Sequence, residues 1–399
     1  MKKLISLFCA VLFIAAVIPG SFAATGNVLE FRDGEFKILV LSDTQDDQHP
    51  AYDMLNFVKK AIENANPDLI LFTGDLVEDS RIGDIGTDDE PFREGVLSKD
   101  LFGNVDDEKT IENAVTAARY VLDIFQDSGV PFAIAQGNND YKCVINNEQW
   151  LELYSEYSNN LTLDMSDDAE GRIDYNLEIK GSDGKTAFNI WMMDTGRHGI
   201  NDDQIEWYKT KSSQYTAGNG GEPIPAMAFQ HINTVDIGNL FEECKMTDDG
   251  ARAVGTKFYR LNREIATGYN FFAYEPGLTS DEFKAWKEQG DVIAAFFGHQ
   301  HVEGFSGMVD GIELGFTNGC EMAKTGPYGY RVITLHEDDI KNYDNEVWFY
   351  EGTVKRGTDR FEKYESEDYP VYKNVVEKFF ASIKNGIISA VFLIIDIFR

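Results

Sequence analysis

Asp43, Asp75, Asn138, His231, His299 and His301 each stand within a few residues after a short apolar run. Carboxylate and amide oxygens combined with imidazole nitrogens suit borderline divalent or trivalent metals such as Zn, Mn or Fe. The chain holds only six histidines, and three of them occupy such positions. Six protein ligands exceed what one catalytic ion takes while keeping a place for water, so two ions sharing a carboxylate suit the set better. Taken singly, a strand-end Asp reads as a helix cap and a His as a structural residue; the metal reading rests on their recurrence.

The surrounding pattern supplies elements to position them. Phe36–Leu41 reads as a buried strand ending at Ser42-Asp43, and Leu69–Phe72 as a strand running into Thr73-Gly74-Asp75. Between them Leu55, Val58, Ile62 and Ala65 recur at helical spacing over Tyr52–Ala65. Ile111, Val115, Ala118, Leu122 and Phe125 write a second helix, stopped by Gly129, and Pro131–Ala135 leads into Gln136-Gly137-Asn138. Phe188–Met193 ends at Asp194-Thr195-Gly196, Asp203–Tyr208 opens a helix, Ala226–Phe229 ends at Gln230-His231, and Val292–Phe297 at Gly298-His299-Gln300-His301. Repeated β-α-β units place the chain in the α/β class, with ligands gathering beyond the carboxyl ends of the strands. Segments 311–317, 330–335 and 346–350 have no helices between them and are predicted to be antiparallel strands completing a second sheet.

Over 399 residues, 36 Lys and Arg face 68 Asp and Glu, a net charge of −32. Nucleic acid is excluded as a partner, because polyphosphate is held by clustered cations and no basic stripe occurs. With 43% hydrophobic and 13% aromatic residues the chain is too apolar for an acidic disordered one. Lys2-Lys3, an apolar run and Ser21-Phe22-Ala23 read as a signal peptide over 1–23, with a retained anchor as the alternative. Its removal takes two cations and no anion, giving −34. Cys143, Cys244 and Cys320 lack metal-binding spacing and are expected to be core or surface thiols. The acidic stretches 78–107 and 164–183 read as solvated insertions, and 248–274, with Arg252, Lys257, Arg260 and Arg263, as a mildly basic one that covers the site or sits on the surface. Asn160-Leu161-Thr162 is a glycosylation sequon. A main domain is expected over 30–355, followed over 356–399 by a charged linker and an amphipathic helix at 375–398. The uncharged run 385–395 is shorter than the roughly 20 residues a span needs, so this helix docks on its own domain or makes peripheral membrane contact.

The ordered set Asp43-Thr44-Gln45, Gly74-Asp75, Gly137-Asn138-Asn139-Asp140, Gln230-His231 and Gly298-His299-Gln300-His301 resembles the calcineurin-like metallophosphoesterases. Asp194-Thr195-Gly196 and Gln204-Ile205-Glu206-Trp207 make it most similar to the purple acid phosphatase-like branch. The resemblance implies a four-layer α/β/β/α sandwich of two mixed sheets flanked by helices. It implies that Asp43, Gln45 and His301 bind one metal, that Asn138, His231 and His299 bind another, and that Asp75 bridges them. Such a pair lowers the pKa of a bound water, and the resulting hydroxide attacks phosphorus directly, so no nucleophilic side chain is needed.

Two positions depart from the family pattern. Gln45 stands where that pattern has His, and an amide oxygen is the weaker ligand. Asn139 stands where it has a His that assists the leaving group, and an amide is no proton donor at neutral pH. Asn139 and Asp140 remain candidate catalytic residues by position, and His198 is the favoured substitute acid, with His49 as another. The expectation is an exported, secreted or envelope-associated phosphoesterase with two metal ions (Fe, Mn or Zn), acting on small or surface-linked phosphate esters. The alternatives are a metal-binding homologue without turnover and an amidohydrolase-type enzyme, for which the His-x-His pair lies too late in the chain.

Overall fold

The computed structural model describes residues 28–78, 107–166, 170–270, 279–321, 327–351 and 360–363. The predicted signal peptide, the C-terminal helix and most of the 78–107 stretch lie outside these residues. Among the described residues no helix is long and apolar enough to cross a membrane.

β1 (Glu35–Leu41), β2 (Leu69–Phe72) and β3 (Phe132–Ile134) run parallel, with α1 (Tyr52–Ala65) and α2 (Asp107–Ser128) between them in sequence. Ile38 to Leu41 and all of β2 and β3 are buried, as continuous apolar strands must be when both sheet faces are covered. On α1 the buried stripe comprises Met54, Phe57, Val58, Ala61, Ile62 and Ala65, while Leu55 is half-buried.

After α3 (Asn147–Ser155) the chain forms β4 (Tyr175–Lys180), β5 (Thr186–Met193), α4 (Asp202–Gly218) and β6 (Ala226–Gln230). There follow β7 (Phe241–Glu243), β8 (Arg252–Val254), β9 (Lys257–Leu261), β10 (Ala266–Tyr269), α5 (Glu282–Gln289), β11 (Val292–Phe297), β12 (Gly304–Val309) and β13 (Ile312–Phe316). The second sheet has the order β10-β12-β13-β11-β6-β5-β4, and β5, β6, β11 and β13 are parallel within it. Alternation along these strands divides the core in two. Met227, Phe229, Ala294 and Phe296 join the core shared with the first sheet, α1 and α2. Ala226, Ala228, Ala295 and Phe297 face a second core closed by Tyr208 of α4 and by Phe283 and Trp286 of α5. The result is the expected α/β/β/α sandwich of two mixed sheets.

Two expectations need correction. Of the three late strands, only β13 belongs to the second sheet; β14 (Gly329–His336) and β15 (Asp344–Glu351) return to the first, in the order β16-β15-β14-β1-β2-β3, where β16 is Arg360–Lys363. The reason is apolar demand on two faces: Tyr330, Val332, Ile333 and Leu335 are all buried, and β14 lies antiparallel against the fully buried β1. The 164–183 stretch is more than a solvated insertion, because its end is β4, the edge strand paired with β5, and Asp174 is buried. In the basic stretch, β8 and β9 form a small sheet with β7, and Lys257 and Arg260 pair with Glu243 and Glu242. Cys143, Cys244 and Cys320 are free thiols, two of them buried.

Candidate metal centre

The carboxyl ends of β1, β2 and β3 in one sheet meet those of β6 and β11 in the other. Asp43 and Gln45 follow β1, Asp75 follows β2, Asn138 and Asn139 follow β3, His231 follows β6, and His299 and His301 follow β11. Backbone bonds join the tips, Asp43 N–H to Gly74 O at 3.0 Å and Cys320 N–H to Ser42 O at 2.9 Å. Glycine makes the approach possible: a Cβ on Gly137 would lie 2.1 Å from the Asp75 nitrogen, and one on Gly74 would lie 2.7 Å from His231 Nδ1. Asp43, Gln45, Asp75 and His299 have left-handed backbone, with φ of 49°, 35°, 56° and 68°. L residues with side chains adopt this region at a cost, and such strain concentrates where function requires it.

Two donor groups emerge, Asp43–Asp75–His301 and Asp75–His231–His299, each with its ligand atoms within 4.8 Å of one another. Asp75 belongs to both. His231 Nε2 lies 3.2 Å from Asp75 Oδ2, 3.1 Å from Asn138 Oδ1 and 3.3 Å from His299 Nδ1. His301 Nε2 lies 3.3 Å from Asp43 Oδ1, a buried oxygen with no hydrogen-bond donor. That undonated carboxylate oxygen, the shared Asp75 and the three imidazoles fit a pair of borderline cations. Gln45 is present but turned: its Nε2 donates to Asp75 Oδ2 at 2.5 Å, and a metal would need the amide oxygen.

The electrostatics match a site built around cations. Burial works to raise the pKa of Asp75, yet the His231 charge and hydrogen bond, the Asn139 N–H and His299 outweigh it and hold the carboxyl well below the ordinary range. Burial opposes the charged form of His231, but Asp75 and Asp43 prevail and push it up to about 9. Burial and the His231 charge drive His299 down to about 3. Burial raises Asp43 against the attraction of His301 and His231.

Several residues that hold this arrangement were missed in the sequence. His231 Nδ1–H donates to Thr73 O at 2.8 Å, so Nε2 is the atom presented to Asp75 and Asn138. Glu321 Oε2 lies 2.8 Å from His301 Nδ1, the position a carboxylate takes behind a metal-binding imidazole. Lys142 Nζ donates to Asn139 Oδ1 at 2.7 Å. Its place three residues after Asn139, in the single helical turn Asp140–Lys142, is the one spacing that points to it.

The proposed catalytic residues separate in the structure. Asp140 is fully buried and accepts from four backbone N–H groups, those of Asp75, Leu76, Val77 and Gly137, at 2.9–3.2 Å. Burial and the Asp75 charge raise it to about 7 against these donors, and its place is that of a brace. Asn139 donates from Nδ2 to Asp75 Oδ2 at 2.8 Å and accepts from Lys142, so both ends of its amide are held. His198 is exposed in the turn between β5 and α4, with no hydrogen bond or ion pair to the ligand set, and His49 is also exposed. Asp194 accepts from Tyr141 Oη and the Ile173 N–H, and Gln204 caps α4 while its Nε2 donates to Asp174 and to Asp194 O. Those two motifs are therefore framework around the Asn138 loop.

A family model described as calcineurin-like phosphoesterase matches residues 36–303. Probable inactive purple acid phosphatase 14 of Arabidopsis thaliana is 24% identical over 361 residues, covering 81% of this chain and 80% of that protein. Probable inactive purple acid phosphatase 29 of the same plant is 24% identical over 398 residues, 88% of each. A solved dimetal phosphatase from Danio rerio covers 83% of this chain and 99% of its own at 10% identity, with a TM-score of 0.47.

Proposed function

The chain belongs to the calcineurin-like phosphoesterase family, and from that premise we propose that it is an exported, dinuclear metal-dependent hydrolase of phosphate esters. One observation carries the reading: two donor groups, each drawing residues from both sheets, share the single carboxylate of Asp75. When bound, two cations of Fe, Mn or Zn type supply an activated water and neutralise the charge that develops on the phosphoryl oxygens. The chain's own part is positional. Asp75, Asp43 and Asn138 with the three imidazoles would hold the cations, Thr73 O orients His231, Glu321 stands behind His301, and Asp140 ties the Asp75 and Asn138 loops together. The surrounding charge of −32 favours small or surface-linked esters over polyanions.

The test is metal content together with hydrolysis of an activated aryl phosphate between pH 5 and 9. Both metals bound with no turnover anywhere in that range would overturn the enzyme reading. A second reading has its own support: the relatives named as inactive phosphatases, and an Asn139 amide fixed between Asp75 and Lys142 where no proton donor stands. In it the chain binds metal and phosphate ester without turnover.

A further inference from the structure

We infer that Lys142 is a phosphate-binding residue that selects the dianionic terminal phosphate of a monoester over a diester. The inference rests on the phosphoesterase reading above. Lys142 donates to Asn139 Oδ1 at 2.7 Å, and Asn139 donates in turn to Asp75 Oδ2 at 2.8 Å, so the ammonium is two hydrogen bonds from the carboxylate shared by both donor groups.

The turn that carries Lys142 is fixed. Asp140 before it is held by the four backbone N–H groups, the Tyr141 hydroxyl is held by Asp194 and by Asn147 Nδ2 at 2.7 Å, and the Lys142 N–H donates to Asn139 O at 2.8 Å. Lys142 is half-buried on this constrained turn, and its ammonium is directed to the Asn139 amide beside the shared carboxylate. Lysine is a compact point charge with three donors, a chemistry suited to phosphate oxygens.

Charge gives the selectivity. A terminal phosphate brings up to two negative charges and three non-ester oxygens, whereas a diester brings one charge and two oxygens. A cation close to the shared carboxylate favours the first, and it does so locally in a chain whose overall charge of −32 repels anions.

The experiment compares the metal-loaded full chain with Lys142→Met and Lys142→Arg. Inorganic phosphate binding is measured by calorimetry, metal content by mass spectrometry, and kcat/KM on a matched aryl phosphate monoester and diester. Lys142→Met is expected to keep its metals and to lose about 10–100-fold in phosphate affinity and in monoester kcat/KM, with less than about threefold change on the diester. Lys142→Arg should recover most of the phosphate affinity. Unchanged phosphate affinity, equal losses on both esters, or loss of metal from Lys142→Met would each overturn the assignment. If the wild type binds phosphate but hydrolyses neither ester, the turnover reading fails while the phosphate titration still decides Lys142. A wild type that binds no phosphate overturns both.

Discussion

Replacing Asp140 tests whether the centre is held together in the way its geometry implies. The carboxylate accepts from Asp75 N and Leu76 N at 3.0 Å, Gly137 N at 2.9 Å and Val77 N at 3.2 Å, and is itself wholly buried. Asp140→Ala leaves these four donors without an acceptor. A buried polar group stranded in this way costs about 1–3 kcal/mol. Because the four share one carboxylate and the cavity left behind admits some water, the simple sum is too large, and roughly 4 kcal/mol of lost stability is expected. Asp140→Asn preserves the volume and one acceptor oxygen but turns an NH2 toward two of the N–H groups, so about half that loss is expected.

The loops released by either change carry Asp75 and Asn138, so metal should leave together with stability. Urea unfolding of the purified chain, run with and without chelator and paired with a metal count, reads both quantities. If Asp140→Asn unfolds at the wild-type urea concentration, keeps its metals and has merely lost turnover, the bracing argument is wrong and Asp140 acts in the chemistry.

Asp75→Asn and His231→Ala should each lose metal and with it all hydrolysis, since one removes the shared charge and the other a nitrogen ligand; full metal occupancy in either would misplace the site. Glu321→Gln should weaken metal affinity about 10–100-fold by freeing the His301 ring, read by competition with a chromogenic chelator, and an unchanged affinity would leave Glu321 without a role. Burial raises Glu282 from an ordinary 4.5 to about 7, against hydrogen bonds from Gln230 and Ser280. A carboxyl whose folded pKa is raised binds its proton more tightly when folded, so its burden grows as pH climbs from about 4.5 to 7 and is complete above that. Glu282→Gln should therefore be more stable than wild type at pH 8 and about equal at pH 4.5, and a constant difference across that range would refute the assignment. Asn139→His replaces the amide that links Asp75 to Lys142 and should lower phosphate affinity; a gain in rate on poor leaving groups would show instead that a missing acid limits the reaction.

The elements that deliver ligands were readable because each is a short apolar run with an abrupt polar end. Leu69–Phe72 followed by Gly74-Asp75, and Val292–Phe297 followed by Gly298-His299, are buried strands that stop where a functional group begins. The four-layer arrangement came instead from the resemblance of the ligand motifs to the family. The sheet partner of β14 was not, because an antiparallel strand buried on both faces looks alike in sequence whichever sheet it joins, and only its pairing with β1 from Glu35↔His336 to Val40↔Arg331 settles it. His198 was attractive as the histidine of the Asp194 loop, but the buried bonds of Asp194 to Tyr141 and Ile173 hold that loop as framework and leave His198 facing outward.

What sequence could not convey at the centre is the backbone. Of eight non-glycine residues with positive φ among those described, four are Asp43, Gln45, Asp75 and His299. A strand tip in ordinary extended geometry would continue past the facing sheet, and the left-handed turn at these positions swings each tip back, so that Asp75 meets His231 and Asp43 meets His301 across the two sheets. That conformation costs on the order of 1 kcal/mol or more at each such residue. It persists because buried bonds such as the Asp140 brace and the His299 N–H to Asp43 Oδ2 bond at 3.0 Å over-determine it. Glycine at these positions would relieve the strain but would remove the ligands. The strain and the ligand set are therefore one feature, which explains why Gly74, Gly137 and Gly298, the neighbours of the ligands, supply the close approach while the ligands themselves bear the unfavourable φ.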